Sequence, residues 1–346
     1  KYTNTGQPSV KFVSDGTKIY GLTQTYAAAG NYKFDFLVQF SKISNSNSFS
    51  VVQKPLSSLT MSSTALSDIP GLMAYEGKVN VVTEYPYMYT PATLIGIIDT
   101  NNNYAHSNNA VYNMSVAEEN RLSDYDLKTV VSGKFNGDTH FDFVGMKAPS
   151  DTTKPPVFLA FYKDTNSDYL FKFNTPVTLA LHNATGISYD KIKDVVSGDF
   201  NNDGKTDILT IYRPQSGQCE IYVWENQGND TLKAVKWKAS HSFATTAITG
   251  RVVAGDFNGD GGLDLAAVAE AGDNITIQVW TKTGTATFSD PSAWFTSTGG
   301  YSVSKIKGVV SGKFYNSDNK SEIVVLYQYT SPTTEIKAHV FAPSQQ

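Results

Sequence analysis

The chain has 346 residues, 17% of them charged, a formal net charge of −4 and a single cysteine, Cys219. With no Lys/Arg-rich run, that balance argues against nucleic acid held by phosphate contacts and against a polybasic membrane anchor. One cysteine excludes an intrachain disulfide, and no apolar run approaches the ~20 residues needed to enter and span a bilayer. The length admits two ordinary domains or one large β architecture. The chain opens at Lys1 without a signal-like segment, as the mature or trimmed form of an exported protein would.

Read in chain order, the sequence repeats. "VKFVSDGTKIYGL" from Val10 and "GLMAYEGKVNVVTEYP" from Gly71 are faint copies of four clearer ones. These are "VVSGKFNGDTHFDFVGM" from Val130, "VVSGDFNNDGKTDILTI" from Val195, "VVAGDFNGDGGLDLAAV" from Val252 and "VVSGKFYNSDNKSEIVVL" from Val309. The Val-Val pairs start 65, 57 and 57 residues apart. The central acids are Asp15, Glu76, Asp138, Asp203, Asp260 and Asp318.

Each unit predicts short strands: a Val-Val strand before the acidic loop, a β-branched run after it, and a run ending in an aromatic. That third run is "VFLAFYK" from Val157, "EIYVWEN" from Glu220, "TIQVWTK" from Thr276 and "IKAHVFA" from Ile336. Within it, Trp224, Trp280 and Phe341 share a slot and are expected between blades. "LKAVKWKASHSF" and "AWFTSTGG" supply a fourth strand. Four strands per unit, repeated, specify an all-β fold, a β-propeller of six four-stranded blades in one domain spanning 1–346. The units run around 10–70, 71–129, 130–194, 195–251, 252–308 and 309–346. "KYTNTG" at the N-terminus echoes "WFTSTG" and is expected to supply the missing outer strand of the last blade, closing the ring.

The acidic loops carry the chemistry. In Asp199-x-Asn201-x-Asp203-Gly204-x-x-Asp207, oxygens recur at alternate positions and Gly204 permits the sharp turn. Three carboxylates so close repel one another without a cation. Ca²⁺ takes six to eight hard oxygens, so the expected ligands are Asp199, Asn201, Asp203, the Lys205 carbonyl and Asp207. A second site repeats them with Asp256, Asn258, Asp260, the Gly262 carbonyl and Asp264. Strands follow where an EF-hand would place a helix and its bidentate Glu. In two other copies Lys134 and Lys313 replace the first Asp, and an internal ammonium is expected to stand in for the metal. Around Asp15 and Glu76 too few ligands remain for a metal.

This loop, set between strands and preceded by Val-Val-x-Gly-Asp-Phe, resembles the FG-GAP repeat of integrin α-chains and the related VCBS-type repeats of secreted bacterial proteins. The resemblance is clear over residues 130–326 and faint over 10–100. It implies a calcium-binding propeller, usually seven-bladed, so seven blades are the alternative to six. It also implies extracellular binding or adhesion.

Other motifs are sparse. The five histidines, at 106, 140, 182, 241 and 339, form no metal or triad spacing, and no nucleophile-elbow or phosphate-loop pattern occurs. Tyr85, Tyr87 and Tyr89 could offer a stacking platform for sugar rings, although a hairpin packed on one face suits them equally. Asp164, Asn166 and Asp168 read as a polar turn, and Cys219 as a small apolar filler. The expected protein is a non-catalytic module, secreted or at the cell surface, that binds glycan or an extracellular protein. The alternative is the propeller of a secreted polysaccharide-degrading enzyme or toxin assembly.

Overall fold

Runs such as Asp207–Tyr212 are buried along their whole length, the signature of strands covered on both faces. A computed structural model of the chain describes residues 9–26, 32–42, 49–55, 60–61, 71–75, 78–87, 90–99, 105–107, 127–163, 176–243, 248, 251–272, 274–299, 301–314, 319–329 and 335–342. Among them are six sheets.

The chain falls into two compact units, Lys1–Val130 with Lys163–Pro176, and Val131–Tyr162 with Val177–Gln346. In the first, β1 (Ser9–Ser14), β2 (Lys18–Tyr26), β3 (Tyr32–Lys42) and β4 (Phe49–Pro55) form a sheet, with short β5 (Thr60–Met61) paired to β3. The next sheet orders β6 (Gly71–Tyr75), β7 (Lys78–Tyr87), β8 (Thr90–Asp99) and β9 (Ala105–Ser107). The third begins with β10 (Leu127–Gly133), through which the unit boundary passes.

The second unit continues that third sheet with β11 (Asp142–Lys147), β12 (Val157–Phe161) and β13 (Val177–Thr178). The fourth sheet carries β14 (Ala180–His182), β15 (Ile192–Gly198), β16 (Asp207–Tyr212), β17 (Gln218–Gly228) and β18 (Thr231–Ser242). The fifth holds β19 (Val252–Gly255), β20 (Asp264–Ala271), β21 (Asn274–Trp280) and β22 (Ser292–Thr296). The sixth has β23 (Ile306–Gly312), β24 (Glu322–Tyr329) and β25 (Glu335–Phe341). Residues 1–6, expected as its fourth strand, lie outside the described residues.

Among the described residues, the strand pairings whose register is defined are antiparallel apart from one that the sequence did not announce. Strand β14 lies parallel to β18, Ala180 opposite Thr231, so the link between sheets three and four adds a fifth strand to the fourth. The Val-Val strands β15, β19 and β23 stand side by side, as blades stand around an axis. Alternation then divides each strand between two cores. In β16, Ile208 and Tyr212 face the third sheet, whereas Leu209 and Ile211 face the fifth. The aromatic slot is real: Phe161, Trp224, Trp280 and Phe341 lie opposite Phe143, Ile208, Leu265 and Ile323. Trp224 and Trp280 are fully buried, and Phe341 packs partly buried against the core between sheets five and six. Cys219 is buried in the core between sheets four and five, and burial pushes its thiol up to about 12.

Candidate metal loops

Each acidic loop joins the first strand of a sheet to the second, and its conformation repeats. Asn202 and Gly204 take left-handed backbone angles (φ 62° and 86°), and Gly259 and Gly261 match them at 87° and 84°. In the sixth sheet Asn319 holds the Gly204 position at φ 64°, which asparagine tolerates better than most residues.

The exposed oxygens fold back on the loop itself. Asp199 accepts from the amides of Asp203 (3.0 Å) and Gly204 (2.8 Å), and Asn201 Oδ1 accepts from Asp203 N at 3.0 Å. Asp203 accepts from Lys205 N at 2.9 Å and pairs with Lys205 Nζ at 2.6 Å. The second loop repeats this with Asp256 accepting from Gly259 and Gly261, Asn258 from Asp260 N, and Asp260 from Gly262 N. The seventh-position carbonyls belong to Lys205 and Gly262.

Asp207 and Asp264, expected beside these as ligands, also hold their loops to the sheet. Asp207 is fully buried, with Oδ2 accepting from Phe200 N (3.1 Å) and Asn201 N (3.3 Å) and Oδ1 from Asn226 N (2.8 Å). Asp264 does the same for Phe257, Asn258 and Lys282. Asp142 clamps Phe135 N and Asn136 N, and Glu322 clamps Phe314 N, in the two copies whose first Asp is lysine. The ninth-position acid therefore ties its loop to the sheet whether or not the rest of the motif is present. Burial pushes Asp207 up to about 7 against the pull of its amide donors, and Asp264 to about 6.

Asp199, Asn201, Asp203 and the Lys205 carbonyl, with their counterparts in the second loop, make an oxygen-only donor set of the kind hard divalent cations take. No three His, Cys, Asp or Glu side chains converge as a metal-binding group among the described residues. In the third sheet the lysine expected as an internal cation is exposed and makes no ion pair among the described residues. Asp138 is met instead by His140, whose amide donates at 2.6 Å and whose Nδ1 lies 3.6 Å away. Lys313 is also exposed, and Asp318 lies outside the described residues. Asp15 accepts from Thr17, Lys18 and Tyr20; Glu76 lies outside the described residues.

Successive loops are stitched together. Thr206 N donates to Lys134 O (3.1 Å), Ser321 N to Asp256 O (2.7 Å), and Asn226 Nδ2 to Phe135 O (2.7 Å). Asn226 escaped the sequence reading because nothing in "EIYVWEN" marks it as a bridge. Tyr85 and Tyr87 lie two residues apart on β7, paired with Ala92 and Thr90 of β8. Their side chains and Tyr89 lie outside the described residues, as do Asp164, Asn166 and Asp168.

Residues 199–267 match the FG-GAP-like repeat family. No curated protein sequence matches the chain. Among solved structures, AofleA from Arthrobotrys oligospora is similar at a TM-score of 0.51 and 12% identity, over 97% of this chain and 86% of that one. A fungal lectin, Aleuria aurantia lectin, described as a six-bladed β-propeller with a novel fucose recognition mode, aligns at 0.46 and 8% identity over 98% and 97% of the two chains. A thermostable family-43 glycoside hydrolase aligns at 0.37 and 9% identity over 99% and 98%. The last two likenesses are too weak to choose between lectin and hydrolase. Loop, register and fold agree on one conclusion: the chain is an all-β propeller carrying the FG-GAP-like repeat.

Proposed function

We propose that the chain is a non-catalytic extracellular recognition module that binds glycan on its propeller, with Ca²⁺ tying its two acidic loops. One observation carries the glycan reading: aromatic rings with polar tips recur at the same register in two sheets. Tyr212 and Tyr327 stand five residues after the clamping acid on the second strand, and Tyr222 and His339 stand at matching places on the third. Sugars offer apolar C–H faces ringed by hydroxyls, and such rings with nearby donors and acceptors complement both.

The calcium reading rests on the oxygen-only loops. Asp199, Asn201, Asp203, the Lys205 carbonyl and Asp207 would hold one ion, and Asp256, Asn258, Asp260, the Gly262 carbonyl and Asp264 another. The ion neutralises carboxylates that otherwise rely on their own backbone, so its role is stability. The same reading makes six four-stranded blades of one domain, with residues 1–6 as the outer strand of the last.

The test is an array of immobilised oligosaccharides probed with the chain in calcium and again in chelator. Selective retention in calcium, weakened by chelator, is expected. Failure to retain any glycan in either condition would count against the reading and favour a protein partner or a polysaccharide-degrading assembly.

A further inference from the structure

We infer that the cluster of Tyr301, Tyr327, Tyr329, His339 and Lys337 on the sixth sheet is the subsite that receives a pyranose ring, an inference that rests on the glycan reading above. Tyr327 and Tyr329 alternate on β24 and so share a face, and antiparallel pairing sets Lys337 opposite Tyr327 and His339 opposite Val325. Tyr301 arrives from the segment before β23, its ring 5.1 Å from that of Tyr327.

Two kinds of residue are present. Tyr327 is buried, and its hydroxyl accepts from Ser302 N at 3.0 Å, so it is a fixed floor. Tyr301, Tyr329 and His339 are only half-buried. Their tips form a row, Tyr301 OH 3.4 Å from Tyr329 OH and Tyr329 OH 3.0 Å from His339 Nε2. Hydroxyls and a neutral imidazole can each donate or accept, so the row can turn to meet adjacent sugar hydroxyls of either sense. The exposed Lys337 ammonium stands 5.2 Å from the centre of the Tyr329 ring.

The fourth sheet shows what the same register looks like when it is closed. There Glu220 takes the place of Lys337, is buried, and binds both Tyr222 OH and Lys236 Nζ at 3.0 Å. Lys236, from the outer strand, lies over the Tyr222 ring at 5.3 Å. In the fourth sheet a buried carboxylate holds the Tyr222 hydroxyl, whereas in the sixth an exposed lysine stands at that register.

The experiment uses the full chain on the oligosaccharide array, followed by calorimetric titration with whichever oligosaccharide the chain retains most strongly. Tyr329→Phe and His339→Gln should each weaken binding about tenfold while leaving the melting temperature within a degree or so. Ser216→Ala, in the exposed turn between β16 and β17, should leave affinity unchanged. Retained glycan with both sixth-sheet variants at wild-type affinity would overturn this site and leave the glycan reading standing. If the unmodified chain retains no glycan, the reading itself fails and the subsite falls with it.

Discussion

Asp207 shows how one motif position can carry a second task. Expected as a ligand at the ninth place of an oxygen-rich loop, it is also buried with three amide donors and so clamps the loop to the sheet. Asp207→Asn keeps the shape but turns one of the two acceptor oxygens into an NH2 donor facing the loop amides, and should cost about 1–3 kcal/mol in urea unfolding at pH 4.5. The pH dependence has a definite sign. The carboxyl is raised in the fold from 3.8 to about 7, so between those values the folded chain holds a proton that the unfolded chain releases. Its contribution is therefore full below about pH 4 and declines as pH rises towards about 7. Stability measured at pH 4.5 and 7.5 should differ less in Asp207→Asn than in the parent; an unchanged difference would contradict the assignment. The cluster around Tyr329 was not legible in advance, because its members lie on three separate segments and only strand register brings them together.

At the scale of the element, the strands were legible because period-two alternation and a recurring acidic loop marked their order. "EIYVWEN" lies within β17 and "TIQVW" ends β21, and their tryptophans fill the predicted slot. Parallel β14 was not legible, since a three-residue strand carries no pattern and its place depends on what β18 leaves unpaired. The Val-Val-x-Gly ending also has a reason that only neighbouring elements reveal. A Cβ on Gly133 would overlap the Thr206 side chain, one on Gly198 would overlap Leu263 Cδ1, and one on Gly255 would stand 2.8 Å from Ser321 Cβ. All three obstacles are the residue just before the clamping acid of the next loop. Gly198→Ala should therefore destabilise the chain by about 1–3 kcal/mol. Adding Leu263→Ala should restore part of that loss, and a double variant no better than the sum of two losses would show that the two positions do not press on each other.

For the whole molecule, the repeat explains both what is shared and what is free to vary. The clamp at position nine and the aromatic slot hold every well-described blade of the second unit. Among the described residues, the first and fifth loop acids stand together in the fourth and fifth sheets, where the proposed cation would bind. Binding to the folded state alone should raise stability by ~2.7 kcal/mol at a hundredfold excess over Kd. The most direct measurement is calorimetric titration of calcium into the metal-stripped chain, alongside a variant carrying Asp199→Ala and Asp256→Ala. Two bound ions in the parent, none in the variant, and a higher melting temperature with calcium only in the parent are expected. No heat of binding in the parent and a melting temperature indifferent to calcium would contradict the account.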